Sequence, residues 1–350
     1  MTVSARQNVS AQRGDPVRTS FRVSVTLARG APGQMAFEAA IAAWIFAPQG
    51  QPSLWYLAIP GATYRGLAYY DRQVPGYAPE AFSMARFLAR NGIGLVVIDT
   101  LGTGESAAAV DGGLITRFVT ADANAQVLDQ VRERLLTGRL VADLAPVPAE
   151  ALFLGGVGHS MGAFQLIQLA ALLEDRGTPL DGAILVGWSH VPFDYERLQL
   201  DANAIFTQMV ATNGYYAVPR EVMRPVFYGP QPTVPDALIA ADERDATPFP
   251  KGLMDEGLIP GIVAREAATL TSPVLYVAAA HDFCANAQAE GAVFHCAQLF
   301  TAYTQAGAAH CNFEESRQDL WRVIAGWTRM VAAREGALAG MPSATVAAAS

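Results

Sequence analysis

Charge is what this sequence has least of. Only 16% of its 350 residues are Asp, Glu, Lys or Arg, against roughly 25% in an ordinary globular chain. Scarce charge combined with 51% hydrophobic residues excludes a disordered chain, which lacks the apolar surface to offset its ordering entropy. The charge that is present has the wrong balance for gripping a polyanion. Thirty-two acids against 24 bases leave −8, so neither nucleic acid nor a membrane surface is an expected partner. Long apolar runs are missing too: none approaches the roughly 20 residues that span a bilayer. The opening MTVSARQNVSAQRGDPVRTSF has no apolar stretch of the kind a secretory signal carries, so a cytoplasmic location is expected. Cysteine is equally sparse. Cys284, Cys296 and Cys311 are odd in number and too few for a disulfide scaffold; free thiols are the expectation, with a Cys284–Cys296 or Cys284–Cys311 bridge left open. The His–Cys neighbours at His281/Cys284, His295/Cys296 and His310/Cys311 lack the spacing of a zinc site, and no metal is expected.

What is there is a repeating grammar of strand, glycine turn and helix. Alternating apolar stretches near Phe21–Leu27 and Phe37–Phe46 predict a pair of antiparallel strands. Continuous apolar runs follow at Leu54–Ile59, Gly94–Ile98, Ala151–Val157, Ala183–Val186 and Pro273–Ala279, the pattern of parallel strands buried on both faces. Helical spacing over Asp122–Leu136, Met161–Leu173 and Arg317–Ala333 supplies the covers. These units predict an α/β fold, a doubly wound sheet with helices on both sides. One segment breaks the rhythm. Residues 190–265 hold nine of the 21 prolines and no strand–helix alternation, and read as an inserted cap, helical in parts. The expected organisation is a core of 19–189 and 266–336, a cap of 190–265, and flexible termini at 1–18 and 337–350. The segment also carries 16 of the 56 charged residues in its 76 positions. Scarce charge is therefore mainly a property of the sheet and its helices, not of the cap.

The strongest chemical signal is Gly158-His159-Ser160-Met161-Gly162, a G-x-S-x-G directly between an apolar strand and a helix. A serine hydroxyl is a weak nucleophile and must project from a sharp turn toward a base. Glycines on either side remove side chains that would collide in such a turn, and the helix aims N–H groups and its positive dipole end at a developing oxyanion. On these residues the sequence resembles the α/β-hydrolase family over nearly the whole chain. The resemblance implies a mostly parallel eight-stranded sheet with the cap inserted after the sixth strand. It also implies the chain order nucleophile, acid, histidine. Ser160 is then the nucleophile. Asp282, past the end of P-V-L-Y-V-A-A-A-H-D, is the acid, and His310, in the loop Gln305–His310, is the base. Some members take the acid after the strand before the cap, which would make it Asp194.

The same resemblance places the oxyanion donors at the backbone N–H of Met161 and of Ala62, with Thr63 as the alternative, although Pro60-Gly61 stands where the family usually has His-Gly. Asp99-Thr-Leu-Gly-Thr-Gly-Glu-Ser106 resembles the family's structural turn after the fourth strand. It has neither the third glycine nor the lysine of a phosphate loop, so no nucleotide cofactor is expected. Substrate contacts are expected from Thr63, Tyr64, His159, Trp188, Tyr215 and Tyr216, although aromatics placed like Tyr215, Tyr216, Phe227 and Tyr228 are more often the cap's own core than substrate contacts. The implied function is cleavage of a carboxylic ester or lactone of a medium-sized, largely apolar or aromatic small molecule through an acyl-enzyme. The same triad in the family also serves C–C bond, thioester and amide hydrolysis, and a non-catalytic ligand receptor on this fold is a further alternative. Self-association is left open.

Overall fold

The computed structural model of the chain describes residues 16–27, 35–50, 52–106, 110–198, 200–229, 232–284, 286–334 and 336. The termini expected to be flexible lie, apart from residues 16–18, outside the described residues. Eight strands form the central sheet: β1 (Val17–Leu27), β2 (Met35–Phe46), β3 (Leu54–Ile59), β4 (Ile93–Ile98), β5 (Phe153–His159), β6 (Ala183–Val186), and, after a stretch of short helices, β10 (Val274–His281) and β11 (Phe300–Ala309). Their spatial order is β1-β2-β4-β3-β5-β6-β10-β11. Only β2 runs against its neighbours; β4, β3, β5, β6, β10 and β11 are parallel throughout.

Burial explains the two kinds of sequence pattern. Phe21, Val23 and Val25 of β1 are buried and alternate with exposed Arg22 and Ser24, as on an edge strand covered on one face. In β3, β4, β5 and β6 every residue is buried, because helices lie on both faces of the sheet centre. Helix Met161–Asp175 packs against β5 and alongside helix Arg117–Leu136, and is buried over almost its whole length. Two apolar clusters result, one on each face of the sheet.

Between β6 and β10 none of the described residues joins this sheet. The chain forms there the short helices Ala202–Gln208, Arg220–Phe227, Asp236–Arg244, Lys251–Gly257 and Ala264–Thr269. A small antiparallel sheet of β7 (Val210–Thr212), β8 (Tyr215–Ala217) and β9 (Phe249–Pro250) accompanies them. The β7–β8 hairpin went unpredicted, yet its signal is local. Asn213-Gly214 forms the two-residue turn with φ of 52° and 74°, the double left-handed conformation that an Asn-Gly pair adopts most readily. Among the described residues no helix is long and apolar enough to cross a membrane.

Candidate active site

Ser160 sits between the last residue of β5 and the first of helix Met161–Asp175, with φ 53° and ψ −121°. Such a backbone is costly for a residue with a side chain and persists only where its surroundings over-determine it. Here they do. The Ser160 N–H donates to the Val186 carbonyl of β6 at 2.7 Å. A Cβ on Gly162 would lie 2.1 Å from the Ile59 carbonyl oxygen of β3, and one on Gly158 2.4 Å from the Gly162 carbonyl oxygen. Both flanking glycines are therefore required by close backbone approach. The first N–H groups of a helix have no partner within it, which leaves that of Met161 free beside Ser160.

The adjacent parallel strands β10 and β11 end side by side and deliver Asp282 and His310. The expected loop Gln305–His310 is mostly strand: β11 runs to Ala309, and His310 follows it directly. His310 Nδ1 lies 2.6 Å from Asp282 Oδ1, with both side chains buried. A carboxylate can only accept this bond, so Nδ1 carries the proton and Nε2 presents a lone pair, the tautomer a general base needs. The Phe283 N–H donates to the same Oδ1 at 2.6 Å, while Oδ2 has no partner. Asp194, the alternative acid, instead accepts from the N–H of Arg197 at 2.9 Å in an exposed turn. His310 is pinned from the other side: its N–H donates to Val226 at 3.0 Å, and its ring stacks on Phe227 and meets the edge of Phe283.

Ser160, His310, His159, Met161, Ala62, Thr63, Tyr64 and Trp188 line one cavity of about 100 Å³. The rest of its wall is apolar, with Phe193, Tyr195, Phe206, Phe227 and Phe283 joined by Met209, Met223 and Met254. Among the described residues, no Asp, Glu, Lys or Arg side chain lines it. Tyr215 and Tyr216 are not brought there. The Tyr215 hydroxyl donates to the Val110 carbonyl at 3.4 Å and that of Tyr216 to Asp255 at 3.1 Å, because the hairpin packs against the 110–114 loop and helix Lys251–Gly257. Phe283, next to Asp282, was within reach of sequence reasoning; the methionines were not, since Met at helical spacing signals any core.

Solved structures of similar overall fold place the architecture. A carboxyl esterase from Bacillus coagulans superposes with a TM-score of 0.56 at 16% identity, over 89% of this chain and 99% of its own. A soluble variant of monoglyceride lipase from Saccharomyces cerevisiae gives 0.58 at 12%, over 93% and 99%. A haloalkane dehalogenase from Bradyrhizobium elkanii gives 0.55 at 13%, over 91% and 99%. The chain has the α/β-hydrolase fold. No protein-family model matches it, and neither does any curated protein sequence.

Within this α/β-hydrolase fold, Asp99 does the structural work expected of its turn. Its carboxylate accepts from the N–H of Gly66 at 2.7 Å and of Glu105 at 2.8 Å, anchoring the far end of the loop after β3. His159 braces the histidine loop. Its Nε2 lies 2.8 Å from the His310 carbonyl oxygen, which can only accept, so Nε2 holds the proton; burial keeps the ring far below the usual histidine range and hence neutral. Tyr69 stacks on it at 4.0 Å.

Glu314 is a second buried acid near the pair. Burial, reinforced by nearby Asp282, pushes it up from 4.5 to about 7 against the lowering effect of the Glu314 and Ala309 backbone N–H groups. An acid whose pKa is raised on folding stabilises fully below its unfolded value, and the contribution is lost as pH rises through the folded one. At about 1.4 kcal/mol per unit, wild-type stability should fall by about 3 kcal/mol between pH 4.5 and pH 7 on this account. Urea unfolding across that range checks it: Glu314→Gln should lack this component, and equal pH slopes in both proteins would refute it.

Proposed function

We propose that the protein is a serine hydrolase of neutral carboxylic esters, lactones included, whose acyl or alcohol part is medium-sized and apolar or aromatic. The observation that carries the reading is the elbow serine and the Asp282-bonded His310 in the wall of one uncharged cavity. His310 Nε2 takes the proton of Ser160 Oγ as that oxygen attacks the acyl carbon. The N–H groups of Met161 and Ala62 stabilise the oxyanion. The alcohol leaves with the proton from His310, and water activated by the same nitrogen releases the acyl group. Asp282 keeps the imidazole in the required tautomer and stabilises its charged form. Segment 190–265 serves as the cap, supplying Phe193, Tyr195, Phe206 and Phe227 to the wall. Carboxyl esterase and monoglyceride lipase among the structural neighbours favour ester chemistry, although the dehalogenase shows that the fold alone does not choose it.

The substrate class follows from desolvation. A carboxylate moved into a cavity without a cationic partner loses several kcal/mol of hydration, so it is excluded. In a panel of p-nitrophenyl esters, neutral butyrate, hexanoate and benzoate should exceed the hemisuccinate in kcat/KM by about 100-fold or more, that penalty expressed as a rate. Equal turnover of the hemisuccinate would overturn the substrate class.

A further inference from the structure

Behind the cavity wall lies a polar cluster that the chemistry above does not use. Asp242, fully buried, accepts four hydrogen bonds. The hydroxyls of Tyr64 (2.8 Å) and Tyr228 (2.5 Å) and Nη2 of Arg220 (2.9 Å) reach one oxygen, and Nη2 of Arg72 (2.6 Å) reaches the other. Asp242, Arg220 and Tyr228 belong to the segment between β6 and β10; Tyr64 and Arg72 belong to the stretch after β3. A buried carboxylate between guanidiniums is costly to desolvate and is weak evidence for stability, but its hydrogen bonds fix the relative positions of the groups that donate to it.

The arm that matters is Tyr64, two residues beyond Ala62. Thr63 between them has φ 65°, and its carbonyl accepts from the Thr247 N–H at 2.9 Å. The loop that carries the Ala62 N–H is thus tied to the inserted segment by two bonds. A third link reaches the histidine. Tyr64 has one proton and gives it to Asp242, so its 3.1 Å contact with Cys311 has the thiol as donor, and Cys311 directly follows His310. Burial holds the Tyr64 phenol and the Cys311 thiol well above their usual values, so both remain protonated.

We propose that Asp242 is a positioning residue: through the Tyr64 hydroxyl it sets the Ala62–Thr63 loop relative to His310. The inserted segment then supplies part of the catalytic geometry and does not only cover the substrate. The inference rests on the reading of the protein as an ester hydrolase with Ala62 as an oxyanion donor.

Two conservative variants separate positioning from packing. Tyr64→Phe and Tyr228→Phe each remove one hydroxyl from the same Asp242 oxygen, so a purely structural role predicts like losses of Tm and like kinetics. Tyr228 does not line the cavity. With a neutral p-nitrophenyl ester, Tyr64→Phe should lower kcat by about 10- to 100-fold with KM within about threefold, as a displaced donor does. Tyr228→Phe should keep kcat within about twofold, because it leaves the Tyr64–Asp242 and Thr63–Thr247 bonds that hold the Ala62–Thr63 loop in place. Inhibition by phenylboronic acid, whose tetrahedral adduct on serine needs the same donors, should weaken in parallel only for Tyr64→Phe. Equal kcat losses in the two variants, or none in either while the wild type turns over ester, would overturn the positioning role. A wild type with neither turnover nor boronate inhibition would overturn the ester-hydrolase reading instead.

Discussion

Ser160→Ala is expected to lower kcat for a neutral aryl ester by about 10⁶-fold, the loss typical of removing a triad serine. KM should change little, because the methyl group leaves the apolar wall intact and only the attacking oxygen is removed. The fold should also survive. Alanine meets the same constraint as serine at φ 53°, and the bond that holds the elbow, from the residue-160 N–H to Val186, is a backbone one. Steady-state kinetics with a thermal melt on both proteins decides the matter, and a fluorophosphonate should label the wild type alone. Hydrolysis that persists in Ser160→Ala would move the chemistry to another residue, whereas a lowered melting temperature would only blur the comparison.

The second large effect concerns the acid. Asp282→Ala removes the acceptor for His310 Nδ1 and the charge that stabilises the imidazolium, and should lower kcat by about 10⁴-fold. Asp282→Asn should lose less. In this site Oδ1 already accepts from both His310 Nδ1 and the Phe283 N–H. The amide oxygen is drawn to that position because an NH₂ there would face two donors, and the correct tautomer survives. What disappears is the charge, and a charge-assisted bond reduced to a neutral one costs about 2 kcal/mol, or about 30-fold. Asp194→Ala should leave kcat within about twofold, as for an exposed surface substitution. A collapse in Asp194→Ala with near-normal Asp282→Ala would transfer the acid role.

The parts legible in the sequence are those whose physics is local. Runs such as Leu54–Ile59 and Ala183–Val186 are apolar throughout because both faces of a parallel strand are covered, and these two were read with the bounds the structure gives them. The elbow could be read because its glycines, serine and helix start lie within five consecutive positions. The Asn-Gly hairpin at residues 213 and 214 is legible in the same way, although it lies among the prolines of residues 190–265. Expectations that depended on where a chain segment comes to rest fared worse. Tyr215 and Tyr216 carry the same aromatic signal as Phe227, yet only Phe227 reaches the cavity, because its helix ends beside His310 while the hairpin packs elsewhere.

The sequence by itself determined the apolar strand runs, the main covering helices and the serine turn, which follow from periodicity or from residues close in the chain. The choice of an acid and a histidine came from the family resemblance, and the strand Phe300–Ala309 that delivers His310 was expected as a loop. Only the tertiary structure decided that Asp282 and not Asp194 meets His310, that burial pushes Glu314 up to about 7, and that Asp242 gathers four donors. Within D-A-L-I-A-A-D-E-R the last of these is indistinguishable from a solvated helix charge. Burial and hydrogen bonding separate the two, and both are supplied by residues 14 to 178 positions away.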